Sequence, residues 1–473
     1  TPDLYVANVS LSQLSYIPVN ISGILEPVHV LNEIIIAYTW RRMQVHISFC
    51  SSFLFYFTSN AIFPLLTIPL LVFYTVRRKS AVRLRGNEVH MVKQEISEIK
   101  KLFTQNNCSI TRICGCYVDG EKNKKAQFKQ AFLALPEEEM FKYFEILRKT
   151  LSGSLGKNLH TLEFPLKAEE EGGTQELLLR LRDSKLKDDE LLDQFYQNII
   201  DSYEFVGNYL ILVIHDAYDV PGRTRDGLEM EDASDEVYEY ILASICPVNL
   251  SKPGLSYDAE ENSFHNRIRD WVVGVPDTGF LFPAFNDRST DLHSVLYYSK
   301  NAEELKEAFV DLLLGCPLPL SAGGQKETFQ MLVEETLGET CSIEAVKNIH
   351  EKIIEMVEEH KEDPAPLVLD KNEVKTVFAG SGVANEKMEF FDQCYDSTAG
   401  SDTQLYVSNV VNSRSFDVKT PEVVVKVDPE RTDLISTRII DGRECLVIEL
   451  GANVEVNGIT VRGNLDTAHS STD

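Results

Sequence analysis

The apolar run Asn208–Ile214 (NYLILVI) is followed at once by His215-Asp216-Ala217-Tyr218-Asp219. A continuous apolar run of this length predicts a fully buried strand. Polar groups at the end of such a strand stand on a rigid scaffold, which suits them to a site. His215, Asp216 and Asp219 are residue types that hold a divalent metal or move protons. A second polar group, Asn286, Asp287, Arg288, Asp291 and His293, falls at a predicted hairpin tip. If the two groups meet, with Asp287 joining the first three, they form a His/carboxylate set suited to metal-assisted hydrolysis. The competing reading is turn chemistry, because Asp, Asn and Ser satisfy their own backbone in loops.

Other patterns carry less. Cys108, Cys114 and Cys116 form C-x5-C-x-C. Tetrahedral zinc sites use paired C-x2–4-C knuckles, no second knuckle follows, and a buried strand face explains Cys114 and Cys116. Leu151–Asn158 (LSGSLGKN) is too short for a phosphate loop and has Asn158 where Ser or Thr is needed, so a helix end near Gly153 accounts for it. Gly323-Gly324-Gln325-Lys326 reads as a loop entering a helix rather than an anion cradle. The patterns G-x-S-x-G, H-E-x-x-H and G-x-G-x-x-G do not occur.

The elements that position these residues follow from periodicity. Strands are predicted over Ile110–Asp119, Asn208–Ile214, Glu236–Cys246, Arg269–Val275, Phe280–Phe285 and His293–Ser299, the last two forming a hairpin around 286–291. Pro136 opens a helix with three glutamates in its first turn. Leu191, Leu192, Phe195, Tyr196, Ile199, Ile200 and Tyr203 place an apolar stripe on a helix over Asp188–Tyr203. An acidic loop is expected over 226–235. Helices follow at roughly 302–314, 325–337 and 342–360. The Pro-bearing stretch 361–370 reads as a linker. Beyond it, 371–462 predicts a helical pair (371–379 and 385–395) and β segments at 404–411, 422–427, 434–440, 443–450 and 453–461, with Asp441-Gly442 and Asn457-Gly458 as hairpin turns. Residues 463–473 read as a polar tail. The fold class is therefore α+β: a mixed or antiparallel sheet with helices packed on one face over residues 91–360, and a smaller β-rich C-terminal domain.

The 473 residues carry a net charge of −27. Residues 1–90 hold seven Lys/Arg and four Asp/Glu, so removing their +3 leaves −30 on the rest. An acidic body disfavours direct nucleic-acid binding and points instead to a protein partner. Nine scattered cysteines without framework spacing indicate a reducing, cytoplasmic setting.

Residues 43–76 lack Asp, Glu, Lys and Arg, and Phe53–Val76 is long enough to span a bilayer ahead of Arg77, Arg78 and Lys79. A membrane segment is one reading of 1–90. The other is leader sequence translated from a mis-set start: the texture changes at Met91, and the codons of Glu88-Val89 can contain a ribosome-binding GAGG element. On that reading the segment is excluded from the fold and no membrane is involved.

The stretches TRICGCYVDGEKN (111–123), RDSKLKDDELL (182–192), DASDEVYEYILASICPVNLSKPGLSY (232–257), FLFPAFNDRSTDLHSVLYYSKN (280–301), LSAGGQKETFQ (320–330) and TRIIDGRECLVIEL (437–450) resemble a bacterial domain-of-unknown-function family of Gram-positive anaerobes. The resemblance covers about residues 91–462 and implies no activity. Two functions stay open: a non-catalytic cytoplasmic binding or regulatory protein, and a metal-dependent hydrolase using His215, Asp216, Asp219 and Asp287.

Overall fold

The structure, a computed structural model, describes residues 91–223, 229–401, 403–412, 414–450 and 454–461. The leader or membrane segment read into 1–90 and the polar tail lie outside the described residues.

Helix α1 (Lys93–Leu102) starts at a cap in which Glu95 accepts the Val92 N–H at 2.7 Å. Strands β1 (Arg112–Val118) and β2 (Lys124–Ala131) form a hairpin whose turn is held by Asp119, which accepts from the N–H groups of Glu121 and Asn123. Helix α2 (Glu137–Thr150) follows Pro136, with acidic residues in its first turn and Arg148 and Lys149 in its last, matching both ends of the helix dipole. Next come β3 (Leu159–Glu163), α3 (Thr174–Asp183) and α4 (Asp189–Ser202). The Asp188 side chain caps α4 by accepting from the N–H groups of Glu190 and Leu191.

The centre is one long hairpin, β4 (Asn208–Arg223) with β5 (Glu229–Leu250). It corrects the expected acidic loop. Residues 229–235 are strand, because β4 runs on past Ile214 to Arg223 and its main-chain groups need a ladder partner. The remainder of that loop lies outside the described residues. Strands β6 (Leu255–Asp258), β7 (Ser263–Asn266), β8 (Trp271–Val273), β9 (Thr278–Phe282), β10 (Ala284–Asn286), β11 (Ser289–Asp291) and β12 (Ser294–Ser299) complete this region. Eight strands make one antiparallel sheet in the order β2-β1-β4-β5-β9-β12-β3, with β8 also on β5. The predicted pairing across 286–291 is present as β9 on β12, with β10 and β11 forming a small hairpin at the tip.

Residue parity on β4 sorts the core into two. Tyr209, Ile211 and Val213 pack with α3 and α4, whereas Leu212 and Ile214 pack with α1 and α2. The α+β class holds, but helices cover both faces of the sheet, not one. The reason is in Tyr209–Ile214 itself: a stretch apolar at six successive positions must be covered on both sides.

The predicted helix 302–314 shortens to a π-helical stretch over Phe309–Leu314, closed by Gly315 at φ 68°. Helices α5 (Ala322–Leu337) and α6 (Ile343–Glu359) are capped by Ser321 and Ser342. Then follow β13 (Val368–Leu369), α7 (Lys371–Gly380), α8 (Asn385–Met388), α9 (Phe391–Thr398), β14 (Leu405–Tyr406) and α10 (Val407–Val410). The predicted strand 404–411 is thus two residues of strand and a helical turn. Buried amides pull the chain inward there: Gln325 Oε1 accepts from the Tyr406 N–H and from Asn409 Nδ2, and Asn409 Nδ2 donates to the Gly156 carbonyl at 2.7 Å. A third core joins α5 and α6 to α7–α9, so it draws on both sides of the Pro-bearing segment. The last strands pair as hairpins: β15 (Phe416–Lys419) with β16 (Val424–Val427), β17 (Ile435–Ile440) with β18 (Arg443–Ile448), and β19 (Val454–Val456) with β20 (Ile459–Val461). Asp441-Gly442 and Asn457-Gly458 turn the last two, all four residues at positive φ as a type I′ turn requires.

Candidate functional site

His215 and Asp216 are adjacent on β4, so their side chains leave opposite faces of the sheet. His215 joins the α3/α4 side and is fully buried. Its Nδ1 lies 3.0 Å from Thr111 Oγ1, and its Nε2 has no hydrogen-bond partner among the described residues. Glu239 Oε2 is 4.0 Å from that Nε2, while Glu239 Oε1 accepts from Lys185 Nζ at 3.0 Å. Burial pushes the His215 pKa down to about 4; Glu239 works to raise it, and Lys185 and Arg182 oppose Glu239. Burial also works to raise the Glu239 carboxyl, and the Lys185 hydrogen bond and charge outweigh it. The outcome is a neutral imidazole beside a carboxylate that is already paired with a lysine. Lys185 and the buried Leu186 reach this place through consecutive left-handed conformations, φ 54° and 56°, which non-glycine residues rarely adopt.

Asp216 is equally buried, on the α1/α2 side. Tyr240 donates to its Oδ2 at 2.8 Å, and the Ala217 N–H to Oδ1. Burial raises its pKa against the hydrogen bonds from Ser109, Tyr240 and Ala217. Tyr240 stacks on Tyr238 at 4.8 Å, and Tyr238 donates to the Pro283 carbonyl at 2.6 Å. This is a closed hydrogen-bonded column inside the core.

Asp219 and Asp287 are exposed. Asp287 and Arg288 form the two-residue turn of the β10–β11 hairpin, both at positive φ. The tip docks on α1: Arg288 donates its N–H to Glu95, its guanidinium to Glu98 at 2.9 Å and to the Pro221 carbonyl at 3.1 Å, and Tyr218 donates to the same Glu98. Asp291 accepts from Asn286, from the His293 N–H and from Ser294. The second polar group is therefore a locked turn. The four candidate residues do not converge: His215 and Asp216 are separated by the sheet, and Asp219 and Asp287 stand at its surface. Among the described residues no three His, Cys, Asp or Glu side chains gather as a metal would need. Cys114 and Cys116 face the α3/α4 core, whereas Cys108 packs against the other, and burial raises all three thiols to about 11. Ser321 takes the Gly324 N–H, so the Gly323-Gly324 turn is a helix cap.

A different feature, not singled out by sequence, is the ribbon that follows β5. The ladder continues past Leu250: Ser251 N–H donates to the Asp270 carbonyl and Arg267 N–H to the Gly254 carbonyl, and β6 pairs with β7 beyond. Apolar side chains are exposed along it, including Leu255, Tyr257, Phe264 at 70%, Ile268 at 79%, Trp271 at 55% and Val272. The rings of Tyr257 and Phe264 lie 5.3 Å apart across the hairpin. Trp271 is the only tryptophan after residue 90. Composition was the available signal, but a Trp-Val-Val run reads as core until the structure leaves all three side chains exposed among the described residues.

The chain matches, over residues 91–459, the family model described as Domain of unknown function (DUF4317). It belongs to the DUF4317 family. No curated protein matches it. The DUF4317 region takes in both polar groups and the apolar ribbon alike, and the family description carries no activity to divide between them. Among the described residues no helix is long and apolar enough to cross a membrane.

Proposed function

We propose that this DUF4317 protein is a non-catalytic, cytoplasmic binding protein that engages a protein partner through the ribbon 247–275. The observation that supports it is the concentration of exposed aromatic and aliphatic side chains along one β-ribbon. Clustered apolar exposure marks interaction surfaces, and Trp, Tyr and Phe are the residues that anchor them. The free thiols, among the described residues, suit a reducing compartment, and the acidic charge favours protein over nucleic acid. The alternative, a metal-dependent hydrolase built on His215, Asp216, Asp219 and Asp287, lacks the convergence such a site needs.

The test is a photo-reactive amino acid placed in the full chain, in cells, at Leu255 or Phe264, with Leu133 and Leu166 as equally exposed controls elsewhere. Cross-links to protein at the ribbon and none at the controls support the reading. Equal yield, or none, at all four positions defeats it.

A further inference from the structure

We infer that the occupant of this surface is a second copy of the chain, joined edge to edge through β8 about a twofold axis at Val272; this rests on the binding role proposed for the ribbon.

The edge itself is the first support. β8 pairs with β5 through Leu250↔Trp271, Asn249↔Val272 and Val248↔Val273, and the flanking bonds set the parity of the ladder. Ser251 N–H reaches the Asp270 carbonyl and Gly274 N–H the Pro247 carbonyl. Residues 270, 272 and 274 therefore turn their main-chain groups toward β5, and Trp271 and Val273 turn theirs outward. No strand among the described residues pairs with that outer side. Natural edges are guarded by lysine, proline or bulges. The β2 edge of the same sheet obeys this, with Lys124, Lys125 and Lys129 along it. β8 is Trp-Val-Val and carries no guard.

Self-pairing satisfies this edge without remainder. In an antiparallel pair centred on Val272, Trp271 of each copy faces Val273 of the other, and each such pair exchanges both main-chain bonds, four in all. The side chains match as well. Leu250, Trp271 and Val273 lie on one face, so the twofold sets Trp271 across from Val273 of the other copy and joins two exposed apolar faces into one.

Charge selects the place. The chain carries −27, and like copies repel over most of their surface. Within 250–275, Lys252, Arg267 and Arg269 nearly balance Asp258, Glu260, Glu261 and Asp270, so two copies meet there with the least opposition.

Light scattering on the eluting full chain, at micromolar concentration, reads the assembly state. A dimer that tightens as salt is raised is expected, because screening removes repulsion between two acidic bodies. Val273→Pro deletes an outward N–H and leaves the β5 ladder intact, since residue 273 does not donate to β5. It is expected to weaken the dimer by roughly tenfold or more, with the far-ultraviolet circular dichroism unchanged. Val272→Cys supplies a second readout: the two introduced thiols face each other across a non-hydrogen-bonded pair, Cα atoms ~4.5 Å apart, and mild oxidation is expected to join them. A dimer that survives Val273→Pro, or a Val272→Cys chain that gives no disulfide between the introduced cysteines, overturns the self-pairing. A monomer whose ribbon still cross-links to another protein overturns the second copy and spares the binding role. A monomer with no cross-link at all removes both.

Discussion

Replacing His215 with leucine is expected to flatten the acid side of the stability profile. The wild-type imidazole is buried and neutral, with its folded pKa near 4 against an ordinary value of 6.5. Below pH 6.5 the unfolded chain takes up a proton that the folded chain refuses. Stability is therefore fully present above pH 6.5 and is lost progressively as pH falls toward 4. Each pH unit inside that window is worth about 1.4 kcal/mol. Between pH 7.5 and pH 5 the window contributes about 1.5 such units, so this group alone removes about 2 kcal/mol. Urea unfolding of both proteins at the two pH values isolates the effect, because every other titrating group is shared and cancels in the difference. The wild type is expected to lose about 2 kcal/mol more than His215→Leu over that interval. Parallel losses in the two proteins would refute the claim that burial, rather than the nearby Glu239, controls this histidine. A larger loss in the variant would reverse the assigned sign.

The Asp188 carboxylate satisfies two N–H groups of α4, so Asp188→Ala should cost about 1 kcal/mol in the same unfolding assay, whereas Asp189→Ala, at an exposed position paired with Lys129, should cost about half that or less. Gly156 stands at φ 73°, and a Cβ there would come within 2.3 Å of the Tyr406 ring; Gly156→Ala should destabilise by more than about 2 kcal/mol and raise hydrogen exchange across 405–410, while unchanged exchange there would show that this junction does not depend on the glycine. Among the described cysteines, native thiol labelling should reach Cys341 first, because it is exposed, and should spare Cys114, Cys116, Cys246 and Cys316, which are buried with pKa values raised to about 11 or 12; mass mapping after brief maleimide treatment reads the order.

What the sequence determined by itself was local. The Asp188 cap, the Pro136 helix start and the Asp441-Gly442 and Asn457-Gly458 turns depend on a few neighbouring residues whose side chains or φ preferences act on their own backbone, so their types suffice. The burial of Tyr209–Ile214 was equally plain, because those six positions are all apolar. Tertiary structure decided the rest. Pairing with β5 carried β4 on to Arg223, and that extension turned His215 and Asp216 from the end of a strand into its middle, where alternation sends them to opposite cores. The Asp287-Arg288 tip was consumed by Glu95 and Glu98, residues almost two hundred positions away. Trp271-Val272-Val273 has the composition of a buried strand, and only the order of strands in the sheet leaves it on an edge that no other described strand covers. Exposure depends on which surfaces find partners across the whole chain, and that is a property of the folded assembly of elements rather than of any stretch within it.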